Sequence, residues 1–390
     1  MPVKNSIAEM HQEITGWRRH IHENPELMFD VHETAAFVQE RLKEFGVDEI
    51  TPGIGKTGVV AVIRGRQDTK GRVVGLRADM DALPIHEATG LDYASKVDGK
   101  MHACGHDGHT SMLLGAAKYL AETRNFDGTA VLIFQPAEEG GGGGREMCRD
   151  GMMDRWNIQE VYGLHNMPGL PVGQFAIRPG PLLASADEFE ITVTGKGGHA
   201  ATPHEAIDTT LVGAQIVIAL QSIVSRNVNP IHRVVLTVGT FETDSAASNV
   251  IAHTVRMKGT VRCLDPENRA LAKENIRRIA ENTAAAYGAV AEMTWEDGYP
   301  PTINHETETG YAAEAALAVA GEGKVIENVD PIMPAEDFAF MLEERPGAYI
   351  FLGNGDTMMC HHPQYQFDDD AIPAGCSWLA EMVERRMALG

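Results

Sequence analysis

Basic residues are scarce in this chain: 33 lysines and arginines face 55 aspartates and glutamates, a formal charge of −22 over 390 residues. Such a surface repels nucleic-acid phosphates and anionic lipid headgroups. No basic run interleaved with aromatics offsets it, so neither nucleic acid nor membrane is expected as a partner. Eighteen consecutive apolar residues occur nowhere, which removes the usual sequence mark of a membrane-spanning helix. The opening MPVKNSIAEMHQEITGWRRHIHENPE has no continuous apolar stretch and is not expected to act as a secretory signal. Cysteine is also sparse. Cys104, Cys148, Cys263, Cys360 and Cys376 are odd in number and scattered, a pattern that fits a reduced, cytoplasmic setting better than a disulfide scaffold. There is no internal repeat, and no low-complexity run longer than the glycines at 140–144.

What is plentiful is glycine, at 40 residues, within a chain that is 43% hydrophobic. That content suits an enzyme with many tight turns, built as two domains or as one large domain with an insertion. Ile7, Met10, Ile14 and Trp17 follow helical spacing, and a second helix is expected from about Val31 to Phe45, ending at Gly46. Short β-rich runs follow, GVVAVIRG, RVVGLRAD and TAVLIFQPAEE, with a helix at HTSMLLGAAKYLAE before the last. Runs without alternation are expected of strands covered on both faces, so the core reads as α/β with a mostly parallel sheet. Near residue 184 the texture changes. ADEFEITVTG alternates at Phe189, Ile191 and Val193, and the segment continues as helix, two strands, helix and strand. That β-α-β-β-α-β order predicts a ferredoxin-like α+β insertion. The expected division is 1–183 and 298–390 for a catalytic domain and 184–297 for an inserted lid.

Chemistry-bearing residues collect where strands end, the usual place for ligand sites in such sheets. MHACGHDGHTS packs Cys104, His106, Asp107 and His109 among small residues. A thiolate and an imidazole two residues apart suit a borderline-soft cation, although an idle cysteine or a Cys–His nucleophilic pair has the same spacing. Glu138 and Glu139 leave a strand side by side; their side chains diverge, so one can bind a metal while the other reaches a water, or both can be solvated in an acidic turn. His165 follows an apolar stretch, and His361 and His362 precede Pro363. Asp79 ends a strand and is placed to orient a ligand imidazole. In the insertion, Gly195, Gly197 and Gly198 expose His199, a donor to a substrate oxygen, and the Asn249 amide is placed for a substrate carboxylate. Cys148, Cys263 and Cys376 read as buried small hydrophobes.

RADMDALPI (77–85), MHACGHDGH (101–109), QPAEEGGGG (135–143), GLH (163–165), GKGGHAATPH (195–204) and HHPQYQFDDDAIPAG (361–375) together strongly resemble the M20 metallopeptidase family. Within it they resemble the branch of aminoacylases, hippurate hydrolases and auxin-conjugate amidohydrolases. The resemblance implies two divalent cations, manganese or zinc with cobalt or nickel also compatible, held by Cys104, His106, Glu139, His165 and His361. His361 is preferred to His362 because it stands two before the proline. The resemblance makes Glu138 the general base and His199 a lid histidine that reaches an active site, commonly across a homodimer formed through the lid. Asn249 lies in SNVIAH where relatives commonly read NVIPD, a departure that touches substrate contacts rather than the metals. The implied reaction is hydrolysis of small N-acyl amino acids. A dipeptidase or carboxypeptidase, or a non-catalytic protein binding metal or a small anion, stands as the alternative.

Overall fold

The computed structural model describes residues 3–390. The chain forms two compact units, the first comprising the chain up to Leu182 with Ile303–Asp330 and Asp337–Gly390. The second comprises Leu183–Thr302 and Pro331–Glu336.

The first unit is built on an eight-stranded sheet. Its strand order is Glu49–Ile54, Gly58–Arg64, Thr129–Gln135, Val73–Asp79, Glu160–Met167, Gly347–Gly353, Phe175–Ile177 and Val325–Glu327. The four central strands, from Thr129–Gln135 to Gly347–Gly353, are parallel to one another. Every residue of Val73–Asp79 and of Gly347–Gly353 is buried, which is why these runs show no alternation. The flanks differ from the centre. Gly58–Arg64 pairs antiparallel with both its neighbours, and Phe175–Ile177 is antiparallel to Gly347–Gly353. Apolar runs report burial and not direction, so these joints are invisible in the sequence.

The helices His32–Phe45, His106–Thr123 and Ile372–Arg386 share one apolar core with this sheet. His32–Phe45 stops at Gly46, whose φ of 71° closes the last turn at little steric cost. The N-terminal helical stretch is two helices rather than one, Asn5–Glu9 and His11–Glu23. They part at Met10, whose amide bonds back three residues to the Ile7 carbonyl.

The second unit has a four-stranded antiparallel sheet ordered Val234–Thr243, Thr254–Cys263, Ala186–Thr194, Val290–Tyr299. Two helices, Thr209–Ser222 and Pro266–Ala286, join the core of that sheet, completing the β-α-β-β-α-β order. Phe189, Ile191 and Val193 are the buried half of an alternating strand. Asp208 and Asp265 cap the helices, each accepting backbone amides of the first turn. Thr209–Ser222 runs on into a π turn at Ile223–Asn227. Together they make 19 residues of mean hydropathy 1.2, long and apolar enough to cross a membrane by length and composition alone. In the fold, Val212, Ile216, Leu220 and Ile223 are buried in the core of the unit, while Leu211 and Ile218 stay exposed.

Candidate metal centre

Three parallel strands of the first unit end together, and the residues just beyond them converge. Asp79 closes Val73–Asp79, and Glu138 and Glu139 follow Thr129–Gln135. His165 lies near the end of the strand Glu160–Met167. The Asp81 carboxylate organises the turn. It accepts the Glu138 amide at 2.9 Å and the Glu139 amide at 3.1 Å, so two consecutive side chains are fixed by one buried acceptor. The carbonyl of the same residue accepts His106 Nδ1 at 2.8 Å.

The loop carrying Cys104 and His106 lies tightly on the His165 strand. Asn166 Nδ2 donates to the Cys104 carbonyl at 2.6 Å, and the Tyr365 hydroxyl donates to Asn166 Oδ1 at 2.6 Å. Gly105, with φ of 93°, is required between them: a Cβ there would stand 2.3 Å from Asn166 Nδ2 and 2.5 Å from the Tyr365 hydroxyl.

The hydrogen bonds select the tautomers. His106 gives its Nδ1 proton to Asp81 O, and His165 gives its own to Asn166 O at 2.6 Å. Each ring thereby turns Nε2 inward, the arrangement in which an outer partner orients a metal-binding imidazole. His165 Nε2 lies 3.4 Å from Cys104 Sγ, and His361 Nε2 lies 3.4 Å from Glu139 Oε1. One donor atom each from Cys104, His106 and His165 falls within 4.8 Å of the others, and the same holds for Cys104, Glu139 and His361. The two groups share Cys104, and His106 with Glu138 and Glu139 forms a third group linking them.

The donor set fits divalent cations on an observation internal to the site. His106 Nε2 and Glu139 Oε1 are buried and make no hydrogen bond. Buried polar atoms in folded proteins are nearly always partnered, and two unsatisfied atoms facing one cluster mark a place for a charged ligand. The local charge agrees. Burial opposes protonation of His106, yet Asp79, Glu139 and Asp81 hold it well above its ordinary value. Burial, with His109 and His106 beside it, drives His165 well below its ordinary value, leaving it in the neutral form that ligates metal. The Cys360 contact, burial and the two glutamates push the Cys104 thiol up.

A model of peptidase family M20/M25/M40 matches residues 75–385. The chain belongs to this family. An N-acetyl-L-cysteine deacetylase of Bacillus subtilis is 42% identical over 97% of this chain and 89% of its own length. A hippurate hydrolase of Campylobacter jejuni is 42% identical over 96% of this chain and 97% of its own. Among solved structures, the Bacillus subtilis YXEP protein, described as a dinuclear metal-binding peptidase of the M20 family, superposes with a TM-score of 0.86 at 36% identity. That match covers 97% of this chain and 99% of the other.

Within this M20 member, six of the residues singled out from sequence come together in the first unit: Cys104, His106, Glu138, Glu139, His165 and His361. His362 turns away and accepts the Gln364 amide at 3.0 Å. Asp79 bonds His109 Nδ1 at 2.7 Å and Arg77 at 2.7 Å, so the imidazole it orients is His109, outside the expected ligand set. His109 in turn accepts the Asn166 amide at 3.0 Å and thereby supports the His165 strand end. His199 and Asn249 lie in the second unit. His199 pairs with Val250 across a two-residue ladder, and the Ala200 amide bonds the Asn249 carbonyl at 3.0 Å, with both side chains lining one open groove.

Sequence reasoning passed over the groups behind His106. Asp107 is buried and takes Arg18 Nη1 at 2.9 Å and His22 Nδ1 at 2.9 Å, while Arg18 also bonds Asp369. The second nitrogen of His22 meets Glu87 at 3.3 Å. The signal was WRRHIHE, in which Arg18 and His22 stand four apart on one helical face. Burial disfavours the imidazolium, but the Asp107 and Glu87 carboxylates outweigh it and raise His22 to about 9 from 6.5.

A folded-state value above the unfolded one stabilises the fold fully below about pH 6.5, and this contribution is lost as pH rises through about 9. Wild type is therefore expected to lose up to about 3 kcal/mol of unfolding free energy across that window relative to His22→Gln. Denaturant unfolding at pH 6 and pH 9.5 measures the difference. Parallel pH profiles for the two proteins would rule out His22 as the source.

Proposed function

We propose that this M20 enzyme is an amidohydrolase using two divalent cations to split small N-acyl amino acids into a carboxylic acid and a free amino acid. The observation that carries the reading is the pair of overlapping donor groups with His106 Nε2 and Glu139 Oε1 unsatisfied between them and Glu138 alongside. The relatives named as an N-acetyl-L-cysteine deacetylase and a hippurate hydrolase support the substrate class.

Cys104, His106, Glu139, His165 and His361 would hold the cations, with manganese or zinc the metals best matched to this mixed set. When bound, the cations would polarise the acyl carbonyl and acidify a water. Glu138 takes the proton of the attacking water and passes it to the departing amine nitrogen, the demanding step in breaking an amide. We assign His199 the donor role toward the acyl oxygen. Its Nδ1 accepts the Ala201 amide at 3.0 Å, which leaves Nε2 as the protonated nitrogen. Asn249, beside it, is assigned to the substrate carboxylate.

The deciding experiment is amino-acid release from N-acetylated amino acids and N-benzoylglycine, with dipeptides in parallel. The protein is first stripped by chelator and then reloaded with manganese or zinc. Metal-restored release from acylated substrates above that from dipeptides is expected. Faster dipeptide cleavage would move the assignment to a peptidase. Activity indifferent to stripping would point to Cys104 as a nucleophile, and ligand binding without turnover to a storage role.

Two copies are proposed to pair through the second unit. Its apolar helix leaves Leu211 and Ile218 exposed seven residues apart, and the exposed Phe241 ring of its edge strand Val234–Thr243 packs close to Gly213 of that helix. Exposed apolar side chains on one helix and the strand beside it suit an interaction surface. Light scattering should report a dimer for wild type and a monomer for the double substitution Ile218→Glu, Phe241→Glu; equal masses would refute this interface. A reduced, cytoplasmic setting is part of the same proposal, on the odd number and scattered positions of the cysteines in the sequence.

A further inference from the structure

Cys360 has no part in the chemistry above, yet its thiol lies against the Cys104 loop. Its Sγ is 3.8 Å from the Cys104 carbonyl. The placement is held by the backbone. The next amide, His361 N, donates to Ala103 O at 2.7 Å, and His361 takes a φ of 69°, a conformation that a side chain other than glycine adopts only when its surroundings impose it. Cys104 is 8% exposed and Cys360 is half-buried, so a small oxidant can reach the pair, whereas Cys376 is fully buried.

We propose that Cys104 and Cys360 are a redox modification site: hydroperoxides convert the two thiols to a disulfide that excludes metal, and reductants restore the site. This rests on the assignment of Cys104 as a metal ligand. The step balances. One thiol sulfur attacks the peroxide oxygen, the O–O bond breaks, and a sulfenic acid forms with one water, or with one alcohol from an organic hydroperoxide. The second sulfur attacks the sulfenic sulfur, the S–S bond forms, and the sulfenic oxygen leaves as water. Two electrons and two protons pass from the thiols to the peroxide. A sulfur in a disulfide has no thiolate to give a cation, so oxidation and metal occupancy compete for Cys104. The neighbour also protects, because the sulfenic acid is captured before it can be oxidised irreversibly.

The test treats metal-stripped full-length protein with hydrogen peroxide and follows titratable thiols under denaturing conditions, intact mass, disulfide-linked peptides and rebound zinc. Wild type should fall from five thiols to three, lose the mass of two hydrogens, yield a Cys104–Cys360 linked peptide, and bind zinc again only after dithiothreitol. Reduced Cys360→Ser should bind zinc as wild type does. After peroxide it should gain oxygen on Cys104 and fail to recover fully. Metal-loaded wild type should resist the same dose.

Absence of the linked peptide, with Cys360→Ser behaving as wild type, overturns the proposal while leaving the ligand assignment intact. A linked peptide in protein that still binds zinc fully overturns the competition and, with it, Cys104 as a ligand. A Cys104→Ala control reports the ligand assignment separately, through zinc affinity in reduced protein.

Discussion

Replacing Glu138 by glutamine is expected to lower kcat by about 10²- to 10⁴-fold while leaving both cations bound. Glutamine keeps the shape of the side chain and cannot take a proton. The backbone at this position is held independently of the side chain, by the Asp81 carboxylate on its amide, so the turn should survive the change. The assigned ligand is the next residue, Glu139, whose amide has the same anchor. Metal content should therefore stay at the wild-type value. Because the lost interaction is one made while the proton moves, kcat and kcat/KM should fall together and KM should move little. Steady-state kinetics on an N-acyl amino acid, with metal analysis of the same preparation, reads both quantities. Near-normal turnover would remove Glu138 as the base. Lost metal with lost turnover would make it a ligand instead.

The residues that the structure brings together were legible because they sit in short runs of unusual chemistry. HACGHDGH and PAEE place several donors within a few positions, and composition alone marks them. The buried centre of the sheet was legible too, since strands covered on both faces must be apolar throughout. The supporting groups were harder to find. Asp81 sits two residues from Asp79 in RADMDALP, and nothing in the sequence says which carboxylate faces the next strand's turn and which faces an imidazole. Their roles depend on which amides stand nearby, which only the assembled strand ends determine. Arg18 and His22 are polar residues on a helix of mixed character, and both are buried. The reason is a distant partner, Asp107, 89 residues from Arg18 and 85 from His22, whose charge makes their burial tolerable. Cys360 was hidden likewise, because its significance lies in a neighbour 256 residues distant.

Asp81→Ala is the substitution that best separates holding a site together from acting in it. The side chain touches no assigned metal donor atom through a hydrogen bond of its own; it accepts the amides of Glu138 and Glu139. Alanine keeps the main-chain carbonyl that fixes the His106 tautomer, so that ring should hold its orientation. What is lost is the acceptor for two consecutive amides in a buried turn, at a cost of about 1–3 kcal/mol for each N–H left unpaired. The turn can recover this only by rotating the amides toward other acceptors or water, and rotation moves the two carboxylates with them. Metal affinity should therefore drop about 10–100-fold, as for other groups that support a ligand from behind. Turnover at saturating metal should fall as well, because Glu138 is displaced along with Glu139. Excess manganese or zinc should restore occupancy and not the full rate, a split that loss of a ligand alone would not produce. Calorimetric metal titration beside kinetics at saturating metal measures it. Full recovery of rate with occupancy would show that Asp81 serves the ligand alone, and an unchanged affinity would show that the turn is held without it.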